Sequence, residues 1–129
     1  MNNCHCGRPI AYPSCCGKIH HDITAALTAE DLMRSRYSAF VLAKGDYLIK
    51  SHHSSTRPSR KEKKSIVRWA KSVNWVKLEV LQTSKGAPQD TKGTVEFKAF
   101  YYDDTGMQMI HEHSRFIKEH GYWVYVGVV

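Results

Sequence analysis

Asn74-Trp75-Val76-Lys77-Leu78-Glu79-Val80-Leu81 is the stretch at which the hydrophobic period changes from helical to twofold. Val76, Leu78 and Val80 alternate against Trp75, Lys77, Glu79 and Leu81, the pattern of a half-buried strand. The remainder of the chain repeats that period. Residues 85–90 read as a loop, and 94–102 as a second strand with Val95, Phe97, Ala99 and Tyr101 on one face. Asp103-Asp104-Thr105-Gly106 turns the chain into a third strand over 107–118, and Glu119-His120-Gly121 turns it again into a strand from Tyr122 to Val128.

Upstream of Asn74 the pattern is helical. Thr28-Ala29-Glu30-Asp31 starts a helix, Thr28 capping free amides and the acidic residues facing the positive end of the dipole. Leu32, Arg36 and Phe40 make one i, i+4 row, Met33, Tyr37 and Val41 make its neighbour, and Gly45 is the expected stop. Arg36 sits inside this apolar stripe and therefore needs a buried acceptor or a snorkelling stem. Asp46 is expected to cap a short helix through Tyr47, Leu48 and Ile49. A polar loop over 51–58 leads to a basic helix over 59–72, whose apolar strip is Ile66, Val67, Ala70 and Val73. Helices first and an antiparallel meander afterwards predict an α+β fold, with a curved sheet wrapped around the helices.

All four cysteines lie within the first sixteen residues, as Cys4-His5-Cys6 and Cys15-Cys16. Two chemistries fit. Four thiols can form two disulfides with three possible connectivities, or they can surround one tetrahedral zinc ion in a structural site. Adjacent Cys15 and Cys16 disfavour disulfides. No basic segment followed by an apolar one precedes the cluster, which predicts no export and a reducing, cytoplasmic setting where clustered thiols bind metal. Gly7, Pro9, Pro13 and Gly17 supply turns, and His5, His20 and His21 are spare nitrogens able to replace a sulfur.

The 129 residues, 42% of them hydrophobic, suffice for one domain plus a small knuckle, and no apolar run is long enough for a transmembrane helix. The net charge of +7 attracts polyanions. Much of it lies in Arg57, Arg60, Lys61, Lys63, Lys64, Arg68 and Lys71, read as the solvated face of the basic helix.

Three segments in order carry a resemblance. Cys4-His5-Cys6-Gly7 through Cys15-Cys16-Gly17 resembles the SEC-C zinc motif. Leu32-Met33-Arg34-Ser35-Arg36-Tyr37-Ser38-Ala39-Phe40, with Asp46-Tyr47-Leu48 and Ser55-Thr56-Arg57-Pro58, resembles the first half of YchJ-like bacterial proteins. His111-Glu112-His113-Ser114-Arg115-Phe116, with Gly121-Tyr122-Trp123-Val124-Tyr125, resembles their last hairpin. The resemblance implies a knuckle over 1–22 with Cys4, Cys6, Cys15 and Cys16 as zinc ligands. It also implies a cone-like domain over 23–129 of the nuclear transport factor two, or cystatin-like, superfamily.

A sheet curled round a helix leaves a pocket at its wide end. Candidate lining groups are Arg36, Tyr37, Tyr47, His52, Arg57, His111, Glu112 and Arg115. Such a set can bind a small ligand or do acid-base chemistry, Arg holding an anionic substrate, and it can equally be an internal network pinning helix to sheet. Whether the domain is an enzyme stays open. On the third strand, Gln108, Ile110, Glu112, Ser114, Phe116 and Lys118 share one side, and Met107, Met109, His111, His113, Arg115 and Ile117 the other. A carboxylate at Glu112 facing inward calls for a partner such as Arg36. Two other readings are an adaptor that uses the SEC-C knuckle to contact a protein partner, such as a chaperone or the ribosome, and a nucleic-acid binder that stacks bases on Trp69 and Trp75. No membrane partner is expected, and the superfamily resemblance implies a sheet that can pair into a homodimer.

Overall fold

The computed structural model describes residues 3–129. Met1 and Asn2, the start of the predicted 1–22 knuckle, lie outside the described residues. The elements are α1 (Cys16–His21), α2 (Ala29–Val41), α3 (Gly45–Lys50), α4 (Arg60–Ser72), β1 (Asn74–Lys85), β2 (Lys92–Asp103), β3 (Gly106–Glu119) and β4 (Tyr122–Val128), with 3-10 turns at Tyr12–Ser14 and Ile23–Ala25. The strands form one antiparallel sheet in the order β1-β2-β3-β4. The sheet is curved, and α2 touches β1, β2 and β4, so the meander wraps the helix as the α+β reading predicts. No helix among the described residues is long and apolar enough to cross a membrane.

Thr28 caps α2 by accepting from the Asp31 amide at 3.0 Å. Ser59 caps α4 through a reciprocal capping box with Glu62. The two ends expected at Gly45 and Asp46 differ from the expectation. α2 stops at Val41, Ala43 takes the left-handed conformation at φ 56°, and Gly45 opens α3. Gly45 is required by proximity: a Cβ there would meet Val67 Cγ2 of α4 at 2.6 Å. Asp46 caps no amide, because its carboxylate reaches Lys63 Nζ at 2.6 Å and ties α3 to α4.

The alternation expected in β1 is also shifted. The pairing slips between Trp75 and Lys77, so Trp75 and Leu78 both face inward while Val76 is exposed. Leu81 is exposed, on the face opposite Leu78 as the alternation predicts, and a second slip falls between Val80 and Gln82. Such bulges insert an unpaired residue, reset the alternation and increase the local twist, which bends the strand. On β2 the predicted inner set holds: Val95, Phe97 and Ala99 are buried, and the half-buried Tyr101 packs against Trp69 and Trp75. His120 and Gly121, both with positive φ, close the β3–β4 hairpin as a two-residue turn.

One core joins Cys4, Cys6, Cys15 and Cys16 to Leu32 and Tyr37 of α2 and to Val95, Phe116 and Trp123 of the sheet. The polar segment after α3 is fastened to the sheet. His53 N donates to Tyr125 O at 2.7 Å, and Tyr125 N donates to Ser51 O at 2.8 Å.

Candidate metal centre and cavity

The chain brings its four thiols together from three places: the Cys4-x-Cys6 loop, Cys15 after the 3-10 turn, and Cys16 at the start of α1. A donor from each lies within 4.8 Å of every other, and all four side chains are buried. Cys6 Sγ and Cys15 Sγ stand 3.7 Å apart, and none of the four is in a disulfide. The disulfide alternative is therefore not what the fold builds. Hydrogen bonding from the Cys16 thiol holds Cys6 down to about 5, while burial pushes Cys15 up to about 11 and the bond to Cys6 drives Cys16 higher still. Without a cation Cys6 is thus the thiolate beside the protonated Cys15 and Cys16, and a divalent metal would displace their protons.

Helix α2 supports this cluster. Cys4 Sγ lies 3.7 Å from Ser38 Oγ. Arg34 donates to Cys6 O at 2.8 Å while its Nε holds Glu30 at 2.8 Å, and Arg8 pairs with Asp31 at 2.8 Å. Such outer contacts fix ligand orientation. The spare histidines take no part. His5 and His21 are exposed. His20 Nε2–H donates to Ser35 O at 2.7 Å, so its Nδ1 accepts from the Tyr12 hydroxyl at 2.7 Å. Among the described residues the four cysteines are the one group of three or more metal-ligating side chains close enough to share an ion.

A second site lies between α2, α3, α4 and the inner face of the sheet. It is a cavity of about 260 Å³, with walls that include Phe40, Trp69, Trp75, Phe97 and Ile110. Four predicted residues line it: Arg36, Tyr37, His52 and Glu112. Four do not. Tyr47 points toward the cysteine side, its hydroxyl 2.6 Å from Ser35 Oγ and its ring 4.6 Å from that of His20. Arg57 lies outside, donating to His52 O at 2.9 Å. His111 and Arg115 are on the outer face of β3, where His111 Nε2 meets Glu96 at 2.8 Å. Twofold alternation sends them opposite to Glu112, so all three cannot face one pocket.

Arg36 is 8% exposed. Its Nη1 donates to Leu48 O at 3.0 Å and to Ser51 Oγ at 2.7 Å, and its Cζ sits 4.7 Å from the centre of the Tyr125 ring. The expected Arg36–Glu112 ion pair does not form. No carboxylate among the described residues comes within 4.0 Å of the guanidinium. Glu112 instead accepts from Ser114 Oγ at 2.8 Å and from the Tyr125 hydroxyl at 3.4 Å. Burial lowers Arg36 to about 10, which leaves it a cation at neutral pH. Tyr125 was not among the candidates. The β3–β4 register runs unbroken from the turn, Glu119 with Tyr122 through Phe116 with Tyr125, so counting back from the hairpin puts Tyr125 on the inner face beside Phe116 and Glu112. Trp69 and Trp75, expected from sequence as base-stacking platforms, pack on each other edge to face at 5.4 Å, and Trp75 Nε1 donates to Ala70 O at 3.2 Å.

His52 is held down to about 4 by burial and by the nearby Arg36 and Arg57, and burial lowers His20 as well. Unfolding returns each to an ordinary value near 6.5, so the unfolded chain binds more protons between about pH 6.5 and 4. Stability contributed by the neutral histidines is complete above that window and is lost as the pH falls through it. We expect a lower urea midpoint at pH 5 than at pH 7, and a narrower gap in His52→Gln; an unchanged gap would exclude His52 as a source.

With this geometry in place the chain can be set beside known proteins. A family model described as YchJ, middle NTF2-like domain, matches residues 28–127. The chain belongs to the YchJ-like family. Among its relatives, the UPF0225 protein SCO1677 of Streptomyces coelicolor is 43% identical over 122 residues, covering 95% of this chain and 90% of that one. A UPF0225 protein of Bordetella pertussis is 44% identical over 125 residues, covering 95% and 89%. Two solved structures are similar throughout. A SEC-C motif containing protein from Psychrobacter arcticus matches with a TM-score of 0.81 at 31% identity, covering 100% of this chain and 84% of that one. RPA3114, a SEC-C motif containing protein from Rhodopseudomonas palustris, matches with a TM-score of 0.82 at 31% identity, covering 97% and 95%. The YchJ-like model begins at the cap of α2, downstream of the cysteine cluster.

Proposed function

We propose that this YchJ-like protein is a zinc-stapled binding domain, in which four thiolates hold a structural ion and the separate cavity receives a small, mainly apolar molecule. The metal reading is supported by donor chemistry. Zinc–thiolate bonds of about 2.3 Å in a tetrahedron put the sulfurs roughly 3.8 Å apart, and Cys6 and Cys15 already stand at 3.7 Å. Four buried sulfurs leave no ligand position for a substrate, which is the arrangement of a structural site rather than a catalytic one. Reduced, clustered thiols also support a cytoplasmic protein.

The ligand reading is carried by one observation: the aromatic walls of the cavity surround a guanidinium that is almost wholly buried yet has no carboxylate partner among the described residues. A volume of about 260 Å³ lies just below the range of drug-sized ligand pockets, roughly 300 Å³ upward, and suits a one- or two-ring compound. Titration of the ¹⁵N-labelled, zinc-loaded protein with indole tests it. Saturable shifts are expected at the indole N–H of Trp69 and Trp75 and at Ile110, and Ile110→Trp should abolish them by filling the space. Absence of any saturable shift in the parent protein would refute the reading.

A further inference from the structure

Within the cavity two polar groups of opposite charge are held apart and left with unused hydrogen-bonding capacity. Arg36 donates only through Nη1 among the described residues. Every fully buried side-chain nitrogen or oxygen there has a partner. Its Nε and Nη2 are therefore the accessible donors, and the small accessible part of Arg36 belongs to a residue that lines the cavity. On the other side Glu112 takes both hydroxyl donors, from Ser114 and Tyr125, on Oε1. Its Oε2 accepts from nothing among the described residues, and Glu112 lines the same cavity.

Tyr125 is the spacer between them. Its ring carries the guanidinium against one face, and its hydroxyl reaches the carboxylate. Arg36 is locked in turn by Ser51, whose own carbonyl accepts from Tyr125 N at 2.8 Å. The pair is thus preorganised: the two groups stay too far apart to bond directly, and packing rather than mutual attraction fixes each in place.

What enters such a site must satisfy a donor and an acceptor at once. An anion docking on Arg36 would bring a second negative charge toward Glu112, and a cation on Glu112 would face Arg36, both in surroundings where charges are poorly screened. A purely apolar molecule would strand both groups away from water. Building on the binding-domain reading, we infer that the cavity recognises uncharged planar aromatic compounds of the carboxamide or lactam class, the carbonyl oxygen accepting from Arg36 and the N–H donating to Glu112. An amide places its acceptor and donor about 2.3 Å apart, and with hydrogen bonds of about 2.9 Å at either end it spans a gap that a direct ion pair cannot close. The ring of the ligand then lies among Phe40, Trp69, Trp75 and Phe97.

Benzamide, benzoate, benzylamine and toluene, nearly equal in shape, separate the possibilities in one NMR titration series at pH 7.5 on the zinc-loaded protein. Benzamide should bind at least about tenfold more tightly than each of the others, because a site built to hydrogen-bond a ligand rejects analogues lacking the group. Glu112→Gln should bring benzoate to within about threefold of benzamide by removing the repelling charge, and Arg36→Lys should weaken benzamide while leaving toluene unchanged. The dispersion of the amide spectrum verifies that each variant is folded. Tightest binding by benzoate would overturn the inference in favour of an anion site. Equal binding of all four would overturn it while leaving the apolar cavity intact. Failure of these four and of indole to shift any cavity residue would remove both.

Discussion

Cys16→Ser, or removal of the ion from the parent protein by a strong chelator, should lower the melting temperature by at least about 10 °C and release one equivalent of zinc. Cys16 is 1% exposed and shares a core with Leu32 and Tyr37, so the cluster is part of the main packing and not an appendage. Structural zinc in small modules contributes on the order of 10 kcal/mol or more to folding, whereas a whole domain is stable by only about 5–15 kcal/mol. Loss of the ion would leave the cluster with no covalent bond between its members, so that the loop carrying Cys6 and Arg8 is held only by its ties to α2. The measurement is a metal-release assay beside thermal melts with and without chelator. A melt unmoved by chelation, or a preparation containing no zinc, would sink the staple; a serine variant that melts low while still binding one equivalent would show that three sulfurs suffice.

Trp123→Ala should cost about 3–5 kcal/mol, the range for deleting a large aromatic side chain from a closed core. Trp123 is 0% exposed, and its Nε1 donates to Leu27 O at 3.2 Å, so the same side chain that fills the space beneath β4 also fastens the segment entering α2. Lys118 covers the ring at 5.4 Å. Urea unfolding should show a lower midpoint at constant slope. Because Trp123 does not line the cavity, the indole shifts at Trp69 and Trp75 should persist below the transition. A loss under 1 kcal/mol would mean that the core collapses around the gap and that β4 is held chiefly by its backbone ladder.

Much of the architecture follows from local rules. Thr28 caps α2 where its hydroxyl and the acidic residues after it predict, and Val95, Phe97 and Ala99 face inward because a strand alternates. The cysteine cluster was legible for the same reason: its donors are close in the chain, so a short loop suffices to gather them. The cavity was only half legible. Arg36 and Glu112 stand out as charges on apolar faces, but Tyr47 turns toward His20, and the part Tyr125 plays depends on its ring meeting Arg36 from another layer of the fold. Gly45 looks like a helix stop in sequence; its need for a bare Cα comes from Val67, twenty-two residues later.

The amino-acid sequence by itself determined the order of helices and strands, the four sulfurs available to a metal, and the presence of one arginine and one glutamate on faces that cannot meet water. Those properties depend on spacing, and spacing is a local quantity. The tertiary structure alone decided that the thiols pack into the same core as the sheet, and that Arg36 and Glu112 look into one space without touching. Bulges reset strand parity, and Tyr125 and Ser51 hold the guanidinium from a distant hairpin and an adjoining helix end. Separation between side chains across a core depends on how curved layers close, and no periodicity along the chain encodes it.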